Sequence, residues 1–312
     1  MWQKISIFIL VFCFIFVGDS SYSQNRKSSV SQAARTITVL TEPNAAVWID
    51  GVKRGVTDDS GKLFVKPVMA GVRKLRVRAD GFKEIEKPLL PTQKGDIKIA
   101  LIKTNDQAEL AYQEAEKMAG EDKNKAIELY EKAVNLRPDF PEAYLGLARV
   151  LSETGDADKA LNAIKNARKY RPVYPEASAV EGRIYKDISE FDKAIASFDR
   201  AVKEGKGFQP EAHTGLALLF KDEAESAKAD NDLDDVKYYY GLSAKSFEKA
   251  IEQLSATEPV VYLFLGKIYE DMHDKKKAIA VYERFLRDMP DNEERTAVES
   301  FIVQLKKPDI IQ

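Results

Sequence analysis

The chain has 312 residues, 44% of them hydrophobic and 31% charged, with 48 Lys and Arg against 50 Asp and Glu. That much apolar material excludes wholesale disorder, and a formal net charge of -2 argues against a nucleic-acid binder recognised by bulk charge. One Cys and two His leave little for a zinc site, a disulfide framework or a Cys–His nucleophile, and the length suggests about two domains.

The first element is an address. Lys4 supplies a short positive region, and residues 5–18 form an apolar run of 14 interrupted only by Ser6. Ser21-Tyr22-Ser23 then places small residues before a cut that leaves Gln24 first. This is the pattern of a secretory signal peptide over residues 1–23, with Ser23 and Gln24 flanking the cut. It predicts an extracytoplasmic location, periplasmic or secreted. The alternative is an uncleaved N-terminal membrane anchor, for which 14 residues fall short of the roughly 17–25 a spanning helix needs. Cys13 lies inside this run, so the cut chain has no cysteine and no disulfide. No later run is long enough to span a membrane, so no membrane span is expected after signal removal.

Residues 24–35 are polar and Ser-rich and read as a flexible linker. Residues 36–103 alternate with a period of two. Short runs at 36–40, 46–49, 62–65, 75–79 and 97–101 are separated by turn residues, with Asp50-Gly51 a strong hairpin signal. One face of each strand is apolar and the other carries Arg and Lys. Five or six such strands predict a small antiparallel β sandwich. The stretch Thr41-Glu42-Pro43-Asn44-Ala45-Ala46-Val47-Trp48-Ile49-Asp50-Gly51, with Gly55, Thr57, Gly71 and Asp80-Gly81-Phe82, resembles a PEGA domain. The resemblance implies a bacterial, extracytoplasmic setting and no catalytic residues. Ala45 stands where that family has Gly, so the turn does not require a left-handed backbone there.

After Thr104 the period becomes helical. The segment beginning at Pro141 and the one beginning at Pro259 share an aromatic at the fourth position (Tyr144, Tyr262) and Leu at the seventh (Leu147, Leu265). They also share a small residue at the eighth (Ala148, Gly266), Ala at the twentieth (Ala160, Ala278) and a closing Pro (Pro172, Pro290). These positions resemble the tetratricopeptide repeat (TPR), a helix–turn–helix unit of about 34 residues. Small residues let the paired helices approach, and large apolar residues fill the space around that contact. Units start near Gln107, Pro141, Pro175, Pro210 and Pro259. The last interval is 49 residues instead of 34 or 35, which predicts a fourth unit lengthened around a turn near residues 230–235. A further helix from Asp291 to Lys306 is expected to cap the stack. The predicted architecture is multidomain α plus β: a β sandwich over 36–103, an all-α TPR solenoid of five units with its cap over 104–306, and a tail over 307–312.

No catalytic, metal or cofactor site is expected. His213 and His273 lack partners at a telling spacing, and the acidic run from Asp230 to Asp235 lacks the Gly and Glu that a calcium loop needs. Three consecutive tyrosines, Tyr238 to Tyr240, spread around a helix and cannot form one platform. The TPR resemblance implies an inner groove lined by positions two, five, nine and twelve of each unit. These positions supply Arg149, Ser152, Arg183, Lys186, Lys221, Lys267 and Glu270, flanked by Glu142, Glu176 and Glu211. Two readings stand: ion pairs within the chain, or a surface for an extended acidic peptide or loop. The family's carboxylate clamp is not reproduced, because position five holds Ala111, Leu145, Ala179, Thr214 and Leu263.

The function predicted is an exported, non-enzymatic scaffold binding a protein or peptide partner and no nucleic acid. The alternative is a cell-wall polysaccharide binder acting through Arg73, Arg76, Arg78 and Lys98. The charge split supports weighing both. Residues 24–103 carry 16 basic and 8 acidic side chains, and residues 104–312 carry 31 and 41.

Overall fold

The computed structural model describes residues 35–254 and 256–307. The expected signal segment, its cut at Ser23 and Gln24, residues 24–34 of the linker and residues 308–312 of the tail lie outside the described residues. Among those described there are nine strands and eleven helices.

The strands are β1 (Arg35–Leu40), β2 (Ala46–Ile49), β3 (Val52–Val56), β4 (Lys62–Val68), β5 (Arg73–Arg78), β6 (Phe82–Lys83), β7 (Ile85–Leu89), β8 (Gly95–Lys98) and β9 (Ile102–Lys103). They form a three-stranded sheet in the order β4-β1-β8, a four-stranded sheet in the order β3-β2-β5-β7, and the short pair β6-β9. Ile37, Val39, Val65 and Ile97 of the first sheet meet Val47, Ile49, Leu75 and Val77 of the second in one core. The sandwich is not wholly antiparallel as expected: β1 and β8 run parallel. These two strands are joined by the intervening chain that builds the second sheet, so no hairpin dictates their direction. Asp50 and Gly51 both take positive φ, 51° and 82°, in the tight β2–β3 hairpin that the Asp-Gly pair predicts. In the earlier turn the left-handed position falls on Asn44, and Ala45 is fully buried.

The helices are α1 (Gln107–Met118), α2 (Lys123–Leu136), α3 (Pro141–Glu153), α4 (Ala157–Tyr170), α5 (Pro175–Asp187), α6 (Phe191–Glu204), α7 (Pro210–Ala229), α8 (Leu233–Leu254), α9 (Pro259–Asp271), α10 (Lys275–Asp288) and α11 (Arg295–Leu305). Start signals divide between the two helices of each unit. Helices α3, α5, α7 and α9 begin with Pro at the first turn, where the missing N–H costs nothing. Helices α2, α4 and α10 begin after Asp122, Asp156 and Asp274, whose carboxylates accept from Lys125, Lys159 and Lys277 N–H groups.

Pairs pack by placing a ring over a small residue. Gly182 of α5 lies under Phe198 of α6, and Gly266 of α9 under Tyr282 of α10; a Cβ at either would fall inside the ring's van der Waals surface. Gly146 and Gly215 make the same contact with the preceding unit, under Tyr130 and Phe198. Ala126, Ala160, Ala194 and Ala278 are fully buried at the matching position of the second helix. The lengthened fourth unit is present, with α7 of 20 residues and α8 of 22 against 12 to 14 in the other paired helices. Of the three tyrosines, Tyr240 is buried, Tyr239 is half-buried against Phe220, and Tyr238 is exposed. Val298 and Ile302 of α11 join the core of α9 and α10 and close the stack.

Replacing Gly266 by Ala is expected to destabilise the protein by about 1–3 kcal/mol through overpacking against Tyr282. Thermal unfolding checks it, with exposed Gly120→Ala, whose added Cβ meets nothing, as the harmless control.

Candidate interaction site

Helices α1, α3, α5 and α7 touch one another in succession, whereas α2, α4, α6 and α8 share no comparable contact. The first helices of the units therefore crowd onto the inside of a curve. Arg149 of α3 confirms the curvature. Its guanidinium forms two bonds to Glu211 of α7, at 2.8 and 2.6 Å, across the intervening α5. Packed helices lie about 8–10 Å apart, so a flat layer would hold α3 and α7 beyond the reach of this pair.

The inner face is held by ion pairs within the chain. Lys186 reaches Asp222 at 3.1 Å, with Lys221 4.0 Å from the same residue. Lys267 bonds Asp271 at 2.7 Å, and Glu270 accepts from the Tyr282 hydroxyl at 2.6 Å. Of the flanking acids, Glu142 is taken by Arg171 and Glu211 by Arg149. Ser152 is half-buried, and Arg183 keeps one buried guanidinium nitrogen without a hydrogen-bond partner. Every groove residue named from the sequence lies on a first helix of its unit, and most already have an internal partner. His213 sits half-buried, where burial lowers its pKa, and His273 is exposed in a turn. No cluster of three or more His, Cys, Asp or Glu among the described residues is arranged to hold a metal ion.

The sandwich is docked onto this helical surface. Val47 and Ile49 face the sandwich core, so Trp48 points the other way, opposite Arg76 on β5. It is nevertheless only 9% exposed. The Arg76 guanidinium lies 4.3 Å from its ring centre and that of Arg78 5.1 Å. Arg78 then reaches α1: it donates to the Tyr112 hydroxyl and to Glu116, both at 3.0 Å. Burial opposes its charge, but Tyr112, Glu116 and Glu84 outweigh that and hold it firmly protonated. Beside it, the Gln113 amide donates to Phe82 C=O at 2.8 Å and accepts from Gly81 N–H at 3.0 Å. Farther along, a Cβ placed on Gly51 would lie 3.8 Å from the Glu176 carboxylate at the start of α5.

This docking uses cations that the sequence assigns to a glycan face. Arg76 lies over Trp48, Arg78 reaches α1, and Arg73 is paired with Asp50 at 3.3 Å. Lys98 is exposed on β8 and holds no ion pair among the described residues. The four do not form one open basic surface. Sequence reasoning passed over Tyr112, Gln113 and Glu116, which sit on α1. Their signal is the apolar Trp48 at an outward strand position flanked by arginines.

A tetratricopeptide-repeat family profile matches residues 106–184, and a second matches residues 260–287. Over those two stretches the helices match the tetratricopeptide repeat. Solved structures with a similar fold include a thermophilic TPR protein of Thermus thermophilus, at 18% identity and TM-score 0.48, covering 63% of this chain and 99% of that one. MamA has 18% identity and TM-score 0.43, with 62% and 96% covered. Yeast Tom70 has 18% identity and TM-score 0.50, with 64% of this chain and 40% of Tom70 covered. At such identities the likeness is one of fold. Among curated protein sequences nothing matches the chain.

Two TPR features gain meaning from these contacts. The first repeat departs from the pattern where Gln113 and Glu116 meet the sandwich. The tyrosine of its second helix, Tyr130, donates its hydroxyl to the Glu116 oxygen that Arg78 leaves free. Replacing Gln113 by Ala leaves Gly81 N–H and Phe82 C=O unpaired, with an expected cost of about 1–3 kcal/mol. Trp48 emission should shift to the red as its cover loosens. Glu84 provides a second check. Burial raises its pKa although Arg76 and Arg78 stand 3.9 Å away, and its Oε2 is buried without a hydrogen bond. The folded state thus binds this proton more tightly than the unfolded chain, and ionised Glu84 opposes folding above its folded pKa. Glu84→Gln should therefore be more favourable, relative to the parent, at pH 7 than near pH 4.5; melting curves at both values check the sign.

Proposed function

We propose that this protein is an exported, non-enzymatic interaction scaffold whose TPR inner face receives a peptide or loop of a protein partner. The observation that carries the reading is the preformed inner face itself. Arg149, Lys186 and Lys221 lie on helices α3, α5 and α7 of that face and Lys267 on α9, each within 4.0 Å of a carboxylate of the chain. An acidic peptide offers those cations the same chemistry and exchanges one set of exposed or half-exposed pairs for another. Such exchanges are close to neutral in energy, so affinity comes from burying the peptide against an already ordered surface. The sandwich leans on α1, the start of α5 and the corner before α7, and Lys267 on α9 is the most exposed of these four cations. Export rests on the leader pattern in residues 1–23, and the PEGA-like assignment of residues 36–103 on its turn motifs. Together they point to a bacterial envelope setting. No helix among the described residues is long and apolar enough to cross a membrane.

Crosslinking in the native envelope followed by mass spectrometry tests the proposal. A recovered protein partner should be lost at least tenfold when Lys221 and Lys267 are both changed to Glu. Undiminished recovery would remove the groove from the account. Sedimentation of the groove variant with purified cell wall, at the parent's level and with no protein partner, would favour the polysaccharide reading instead.

A further inference from the structure

A cavity of about 190 Å³ lies where the open edge of the sandwich meets the solenoid. Its apolar wall comes from both parts of the chain: Val52, Val68 and Met69 from the sandwich, and Phe208 from the corner before α7. An apolar cavity of about 150 Å³ accepts benzene, so this one has room for a short hydrocarbon stem. The polar groups at its margin are unequally matched. Asp50 is neutralised by Arg73 and also accepts from Lys74 N–H. Glu252 is bonded to Lys249 at 2.8 Å. Gln253 spends both ends of its amide on the solenoid backbone, accepting from Gln209 N–H and donating to Gly207 C=O. Arg54 is different. It is half-buried, donates one bond to Pro67 C=O at 2.9 Å, and forms no ion pair among the described residues. Burial lowers its pKa, with no carboxylate offsetting the loss. Each acid at the margin thus has its own cation, and one cation has no acid.

We infer that this cavity binds a carboxylate carried on a short apolar stem, with Arg54 holding the acid, Arg73 beside it, and Val52, Val68 and Phe208 enclosing the stem. A guanidinium presents paired N–H donors in the geometry a carboxylate accepts, and an apolar pocket with a few convergent polar groups is the usual form of a small-ligand site. The same chemistry is offered by a free short-chain acid and by the C-terminal apolar residue of a peptide. Either ligand would touch sandwich and solenoid together and tighten their junction.

Calorimetric titration of the purified protein with hexanoate, and with hexanol as the uncharged counterpart, tests this. Hexanoate should bind at least tenfold more tightly than hexanol. Arg54→Gln should abolish that preference, Arg54→Lys should keep part of it, and Arg287→Gln on α10 should leave it unchanged. A peptide ending in free Leu that outbinds both its amide-capped form and hexanoate identifies a peptide as the source; hexanoate binding alone identifies a free acid. Equal binding of hexanol and hexanoate to the parent protein overturns the inference, as does an Arg54→Gln protein that folds and retains the preference. The comparison on the parent decides the matter if Arg54→Gln does not fold.

Discussion

The two halves of this molecule are fastened at α1, by Gln113 and above all by Arg78. Arg78 leaves the sandwich beside Trp48, donates to Tyr112 and Glu116 on α1, and stacks 5.3 Å from the centre of the Tyr112 ring. Its setting is demanding. A guanidinium removed from water must be met by charge and hydrogen bonds, and a missing partner leaves an uncompensated buried charge. Here Glu116 meets it, while Tyr130 fixes Glu116 from the other side. The first repeat therefore has a second task besides stacking on α3. From this fastening follow the cover over Trp48, the approach of Gly51 to α5, and the closure of the cavity beside Arg54.

The solenoid rests on a different constraint, repeated along the chain. Gly182 and Gly266 let a ring from the second helix lie directly on the first, and the buried alanines of the second helices allow the reciprocal approach. Close pairs stack into a curved array, and the curve brings Arg149 within reach of Glu211 two units away. The inner face is thus ordered before any partner arrives. Arg149, Lys186 and Lys267 are positioned by exchangeable internal acids rather than left free.

Legibility in the sequence followed the physics of each signal. The repeats could be read because packing demands the same small and large residues at fixed positions, as at Ala148, Ala160, Gly266 and Ala278. The extra length of the fourth unit appeared as a long interval. Central strands β1, β2 and β5 could be read from alternation, because one face is buried. Strands β3 and β7 escaped. They are sheet edges, broken in pattern by Gly55 and Pro88, where pairing on one side suffices. The parallel pairing of β8 with β1 also left no trace, since it depends on the route of the whole sandwich. The groove residues were legible by position, but their pairing was not: Arg149 with Glu211 and Lys186 with Asp222 join residues far apart in sequence. The arginines of β5 read as an open basic face because a strand pattern cannot say what covers its outer side.

The most direct measurement is a double-mutant cycle in denaturant on Arg78→Ala and Glu116→Gln. If this ion pair fastens sandwich to solenoid, the two changes should be strongly non-additive, with a coupling of about 1–3 kcal/mol. Additivity within about 0.5 kcal/mol would show that the two side chains do not interact, and would contradict the docked arrangement on which this account depends.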